Sequence, residues 1–416
     1  MIRRTARLVP AVLAAVLGLA ACGTPGSSGS DTSATTSTNS ATGSESAVPA
    51  TGEPIKVALI TSLSGPLQSY GEMYVDAFNV GLDYATDGTG DVNGRPIEVT
   101  TSDDAGDPAK ATTTATDYIG QGYQILAGSA SSGVALQVAP LAAENKALFV
   151  SGPAATDGLT GINRYTFRSG RQTYQDIKTA ASFVGDLQGK KITVFAQDTA
   201  FGQANVAAVT AVLGGEGATV TPVLVPADPA TDLVTFAKQA ADTQPDLLFV
   251  AWAGTNATQM WDSLNQQGAF AEGTTVVTGL DIEPTHAVFA PVADKIDLLA
   301  HYFDGATDNE VEQALVAGLA EAGKTQDLFS PDGFTAAQMI VHALEASPDD
   351  VDAMITALEG WTFDGVKGSI EIRAEDHAVL QPMFQAKLTG SGDAATPELV
   401  KELPADQVAP PVTPFQ

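Results

Sequence analysis

The chain has one cysteine, four histidines and only 20 lysines and arginines, against 49 aspartates and glutamates. A single thiol excludes an intrachain disulfide and a structural zinc site built from several thiolates. His286, His301, His342 and His377 are scattered without metal-ligand spacing, so each reads as a surface or internally satisfied side chain. A nucleic-acid footprint needs clustered basic residues, and beyond the first seven positions none occurs. The formal net charge is -29, which favours solubility and says little about mechanism. Hydrolase motifs are missing as well: "GSASSG" (128–133) has its serines at the wrong offset for a G-x-S-x-G elbow, and there is no H-E-x-x-H. The glycine-rich "GTGDVNG" (88–94) precedes a strand pattern and reads as a turn. Asp103, Asp104 and Asp107 could suggest a divalent metal, but a helix start with a solvated acidic turn is the simpler reading.

What is present begins at the N-terminus. Arg3, Arg4 and Arg7 precede an apolar stretch at 8–21 that is too short to span a bilayer. A positive start, a short apolar middle and small residues at the cut describe an export signal over residues 1–21. The stretch Leu19-Ala20-Ala21-Cys22 resembles a bacterial lipobox, which implies that Cys22 is lipidated and anchors the mature chain to the outer face of the cell membrane. Residues 22–53 are nearly all Ser, Thr, Gly and Ala. With no large apolar residue to bury, they read as a disordered tether with a reach of roughly 30 Å.

From residue 54 onward the chain is long enough for two ordinary domains. Strand-like runs occur at 55–61 ("IKVALIT"), 97–102, 123–128, 147–152, 191–196, 218–225 and 246–252, with amphipathic stretches such as 70–85 and 107–121 between them. In the latter, Asp107 is suited to cap and Pro108 to the first helical position. Strand alternating with helix predicts an α/β fold of mostly parallel sheets, covered on both faces and divided into two lobes. Ligands of open α/β sheets sit beyond the carboxyl ends of the strands. This directs attention to the loops at 61–71, 128–133, 151–156, 197–202, 251–256 and 278–284. None of them contains a histidine that could serve a nucleophile as base.

Taken in order, "IKVALITSLSGPLQSYG" (55–71), "VTTSDDAGDPAKA" (99–111), "GSASSGVALQVAPLAAENKALFVSGPAAT" (128–156), "AFGQ" (200–203), "GLDIEP" (279–284) and "GFTAAQMIVHALE" (333–345) resemble the branched-chain amino-acid-binding family of ABC-transporter substrate-binding proteins. The resemblance implies a two-lobed Venus-flytrap of periplasmic binding protein type I, with three crossover strands. Its expected limits are 54–172 and 301–362 for the N-terminal lobe, 173–300 and 363–400 for the C-terminal lobe, and a tail at 401–416. It further implies a monomer that binds a branched-chain or other apolar amino acid and delivers it to an ABC permease. No catalytic step, metal, cofactor or nucleic acid is involved.

Seen through that family, Ser131 or Ser132 at the start of a helix is expected to hold the ligand carboxylate. The Ala154 carbonyl and Asp281 would take the ammonium, and Thr156 would donate through its hydroxyl. Tyr70, Phe201 and Trp252 would lie beside the ligand. Each has a plainer alternative: Ser131 and Ser132 as helix caps, Thr156 as the cap of "DGLTG", Asp281 as a loop carboxylate, Phe201 and Trp252 as core aromatics. An amide, urea or small carboxylate as ligand, a cell-surface enzyme, and an anchored sensor remain the competing functions.

Overall fold

The run 55–61 becomes a strand because nearly every one of its side chains is buried. Val57 and Leu59 face one hydrophobic cluster while Ala58 and Ile60 face another. A strand apolar on both faces needs helices on both sides, and the rest of the architecture follows from that demand. In this computed structural model the described residues are 52–228, 231–253, 256–289, 292–390 and 395–415. The expected export segment, Cys22 and nearly all of the tether lie outside them.

The first sheet is built from β1 (Ile55–Thr61), α1 (Gln68–Ala85), β2 (Asp91–Val92), β3 (Arg95–Asp103), α2 (Pro108–Gly120), β4 (Ile125–Ala127), α3 (Ser132–Glu144), β5 (Leu148–Ser151) and β6 (Thr166–Arg168). Its strand order is β2-β3-β1-β4-β5-β6, parallel except for the β2–β3 hairpin. That hairpin turns at Asn93 and Gly94, both at positive φ, as the glycine-rich stretch predicted. Asp107 caps α2 by accepting from the Ala109 and Lys110 N–H groups.

The chain then crosses to a second sheet made by α4 (Thr173–Ala181), β7 (Lys191–Gln197), α5 (Ala200–Val209), β8 (Thr219–Val225), α6 (Leu233–Asp242), β9 (Leu247–Ala251), α7 (Ala257–Gln266), β10 (Thr275–Gly279) and β11 (Asp297–Ala300). Here too the strands alternate between two clusters. Val194 and Phe249 pack toward α4 and α5, whereas Phe195 and Val250 pack toward α6 and α7. After β11 the chain returns to the first lobe: α8 (Glu310–Glu321) packs beside α1, while α9 (Ser330–Ala346) and α10 (Val351–Leu358) cover the first sheet. A small antiparallel sheet follows, of β12 (Thr362–Gly365), β13 (Gly368–Ile372) and β14 (Val379–Leu380). Ile372 belongs to the core of the first sheet, so the expected boundary at 362/363 is too early: β12, β13 and β14 all come before the final crossing at 381–382. The last strands, β15 (Met383–Thr389) and β16 (Thr396–Leu403), run antiparallel and complete the second sheet in the order β16-β15-β11-β10-β9-β7-β8.

Two lobes with helices on both faces of each sheet, joined by three crossings among the described residues, are therefore present. The expected start of the tail at 401 falls inside β16, which pairs with β15 through Leu403, and the rest of the tail is not idle. After α11 (Ala405–Val408) it reaches back, where the Thr413 N–H donates to Asp376 and Arg373 donates to the Pro410 carbonyl. Within the first lobe α1 and α9 touch through glycine: an added Cβ at Gly333 would lie 2.1 Å from the Tyr74 carbonyl oxygen.

Candidate functional site

Between the carboxyl-end loops of the two sheets lies a cavity of about 410 Å³, within the size range of small-molecule sites. Of the residues singled out from the sequence, Tyr70, Ser131, Ser132, Phe201, Trp252 and Asp281 line it. Ala154 and Thr156 do not; their neighbours Pro153 and Ala155 do. The physical reason is Arg168, buried behind them. It donates to the Ala154 carbonyl at 2.9 Å and to the Thr156 carbonyl at 3.4 Å, which turns these acceptors inward. The Thr156 hydroxyl accepts from the Gly158 N–H and caps the 3-10 turn Asp157–Leu159.

The first lobe contributes the N-terminal turn of α3. Ser131 caps that helix by accepting from the Val134 N–H at 3.4 Å, while the Ser132 hydroxyl accepts from the Thr156 N–H at 3.3 Å. The acidic run behind this turn has a structural part. Asp104, fully buried, accepts from the Ser62 and Ser129 hydroxyls and so ties the loops after β1 and β4 together. Asp103 accepts from the Ser64 hydroxyl and the Leu63 N–H, which hold its carboxyl well below the usual range.

Asp281 follows β10 on the second lobe. Its Oδ1 accepts from the Tyr70 hydroxyl at 2.7 Å and from the Ile282 N–H at 2.8 Å, and its carbonyl is 2.8 Å from His286 Nε2. Its Oδ2 has no hydrogen-bond donor among the described residues. The Tyr70–Asp281 bond joins α1 to the second lobe across the cleft. Around it Tyr70, Ile282, Leu328 and Phe329 form an apolar cluster contributed by both lobes. Trp252 stacks on Phe195 at 5.8 Å, so it is core aromatic and wall residue at once. Phe201 also faces a core cluster, and its carbonyl accepts from Asn205 at 2.9 Å.

Reading the sequence by strand ends missed several wall residues. Arg171 and Asp176 stand on and just after the first crossing, His301 begins the second, and Phe329 precedes α9. Their only available signal was position. His301 directly follows β11, a strand too short at four residues to stand out as a period. Burial holds the His301 imidazole neutral, well below its ordinary pKa, reinforced by the charges of Arg171 and Lys367. Behind the cavity lies a buried group of charges that meet at the crossings. Burial raises Asp332 to about 6 and lowers Lys367 to about 8. It also raises Asp176 in spite of the Arg171 guanidinium beside it.

One further motif is a spacing without its setting. "GLAEAGKT" (318–325) matches the G-x-x-x-x-G-K-[ST] pattern of phosphate-cradling loops, which requires a loop running from a strand into a helix. Here Gly318 lies inside α8, and Lys324 at its far end pairs with Asp76 at 2.9 Å.

Comparison with known proteins agrees with this geometry. The family described as periplasmic binding protein matches residues 54–394. The chain is 23% identical over 339 residues to the Leu/Ile/Val-binding protein BraC3 of Rhizobium johnstonii, covering 75% of this chain and 85% of that one. It is 32% identical to the solved structure of an ABC-type branched-chain amino acid transporter from Rhodopseudomonas palustris CGA009, with a TM-score of 0.73 over 87% of this chain and 100% of the other. A solute-binding protein of an ABC transporter from Rhodopseudomonas palustris HaA2, solved with p-hydroxybenzoic acid, shares the fold at a TM-score of 0.76 and 22% identity, covering 85% and 97%. The chain belongs to the periplasmic binding protein family of ABC-transporter substrate-binding proteins.

Proposed function

We propose that this protein is an extracytoplasmic, lipid-anchored solute-binding protein of an ABC importer, which closes on a small amino acid between its lobes and delivers it to a permease. Cys22 would carry the anchor and residues 23–53 the tether. The observation that carries the ligand assignment is Asp281: a carboxylate in an otherwise largely apolar cleft with one oxygen lacking a donor among the described residues. Asp281 is partly buried; once the lobes shut water out, its carboxylate is costly unless paired, and a ligand ammonium supplies that pair. The opening turn of α3, with Ser131 and Ser132, is suited to the ligand carboxylate because its free N–H groups and dipole favour negative charge. Tyr70, Phe201, Trp252 and Phe329 would enclose the apolar part. At roughly 1.5–3 kcal/mol for each hydrogen bond to a charged group, with a further 1.5–3 kcal/mol or so for a buried Leu-sized side chain, these contacts are of the size of the 8 kcal/mol or so of a micromolar complex before ordering costs are subtracted. The reaction is binding alone, so no residue has a catalytic part.

Titration calorimetry of the ligand-stripped protein with Leu, Ile, Val, Phe, Ala, Glu, acetamide and urea tests the reading. Micromolar binding of an amino acid supports it. Binding of acetamide or urea with none of any amino acid would discard Asp281 as an amine anchor and leave an amide-binding protein of the same fold.

A further inference from the structure

The hinge end of the cleft holds a guanidinium that the fold leaves mostly unpaired. Arg171 lies on the first crossing, lines the cavity and is 8% exposed. A guanidinium presents five N–H donors. Arg171 spends one on the Pro153 carbonyl, from Nη1 at 2.9 Å. Its Nε is 3.4 Å from Asp176 Oδ2 without forming a hydrogen bond, and its Nη2 has no hydrogen-bond partner among the described residues. The pair with Asp176 is thus not the fork-to-fork arrangement that satisfies a buried arginine and carboxylate together, and Asp176 Oδ1 is itself without a hydrogen-bond partner among the described residues. Burying a guanidinium in this state is expensive.

The surroundings say what would complete it. Lys367, buried with its Nζ without a hydrogen-bond partner among the described residues, and Arg168 stand behind Arg171, while Asp332, Asp176 and Asp157 supply the opposing charge. His301, neutral and with Nε2 lacking a hydrogen-bond partner among the described residues, adds no negative charge at this end. The guanidinium carbon sits 5.7 Å from the centre of the Phe329 ring. That ring contacts Tyr70 at 4.6 Å, whose hydroxyl meets Asp281 at 2.7 Å. The cleft therefore has the Arg171 cation, with Asp176 beside it, at its hinge end, the Asp281 carboxylate at the other, and the rings of Phe329 and Tyr70 between them.

We propose that Arg171 is a specificity-determining residue that receives a carboxylate of the bound solute, separate from the one assigned to the start of α3. This rests on the reading of the cleft as the solute site. Combined with the amino-acid reading, it selects amino acids whose side chain ends in a carboxylate over neutral ones of equal size. A bidentate guanidinium–carboxylate contact supplies the discrimination.

The test is calorimetric titration of the full-length protein with two matched pairs, L-glutamate against L-glutamine and benzoate against benzamide, with L-leucine alongside. The expected result is that the acid of a binding pair is held about tenfold or more tightly than its amide. Arg171→Gln should bring that ratio close to one, and Arg171→Lys should keep part of it. Melting curves without ligand report whether each variant folds, and the wild-type ratio decides the matter even if neither does. A wild-type ratio near one, tighter binding of the amide, binding of neither pair, or an equal loss for acid and amide in Arg171→Gln would each overturn the proposal. The two readings separate cleanly. Leucine binding alongside a wild-type acid-to-amide ratio near one keeps the amino-acid reading and removes this one, whereas Arg171-dependent benzoate binding with no amino acid bound does the reverse.

Discussion

Replacing Asp281 with asparagine isolates the charge from the hydrogen bonds that surround it. In the wild type one oxygen, Oδ1, already takes the Tyr70 hydroxyl and the Ile282 N–H. An asparagine oxygen in the same place accepts both, so the link across the cleft is kept. The amide nitrogen then takes the position of Oδ2 and offers donors to a ligand ammonium that needs acceptors. The expected loss is that of one hydrogen bond between charged groups, roughly 1.5–3 kcal/mol, or about a ten- to 150-fold weaker dissociation constant. Melting temperature without ligand should hardly change. Asp281→Ala makes a useful contrast because it also strips the acceptor from Tyr70 and from Ile282, which adds about 1 kcal/mol or more of lost stability and loosens closure on every ligand. The assay is calorimetric titration with a bound amino acid and with its analogue lacking the amine. The asparagine variant should weaken the first and spare the second. An unchanged dissociation constant for the amino acid refutes the amine-anchor reasoning; an equal loss for both ligands assigns Asp281 to closure instead.

Three further outcomes are expected. Asp332 is fully buried, facing Lys367, Arg171, Arg168, Asp176 and Tyr74, and burial raises its carboxyl from 3.8 to about 6. Its contribution to stability is therefore fully present below about pH 4 and is lost as pH rises through about 6, a change on the order of 3 kcal/mol. Asp332→Asn should flatten the fall in melting temperature over that window, and superimposable pH profiles would refute this. Gly333→Ala gains about 1 kcal/mol in helix propensity but drives a Cβ to 2.1 Å from the Tyr74 carbonyl oxygen, so a net loss of about 1–2 kcal/mol is expected from overpacking. A melting temperature equal to or above wild type would mean that α1 and α9 part freely. Cys22→Ser should release the protein from membranes while its melting curve stays that of wild type, and continued membrane fractionation would contradict the anchor.

Much of the framework was legible because its signals are local. The buried strand 55–61, the Asp107–Pro108 helix start and the Asn93–Gly94 turn each depend on residues a few positions apart. The elements that escaped notice lacked a local period. β11 has four residues, and β16 is an exposed edge strand whose "TPELVKEL" reads as polar. Missing β11 also hid His301, since the strand-end rule points only to loops whose strands have been found.

From the sequence alone came the α/β alternation, the two-lobe division and the loops that would face a ligand, because strand and helix periods and the strand-end rule need no long-range geometry. Tertiary structure decided which side chains in those loops meet. Tyr70 and Asp281 bond across 211 positions, a pairing no periodicity encodes. Arg168 turns the Ala154 and Thr156 carbonyls away from the cleft, because a buried guanidinium draws acceptors wherever packing places it. Arg171 lies in "RSGRQ", which follows no motif, and it becomes a wall residue only because the crossing after β6 runs beneath the cavity. Carbonyl direction and the meeting of distant charges are set by the packing of the lobes, and that is where the sequence ceased to be readable.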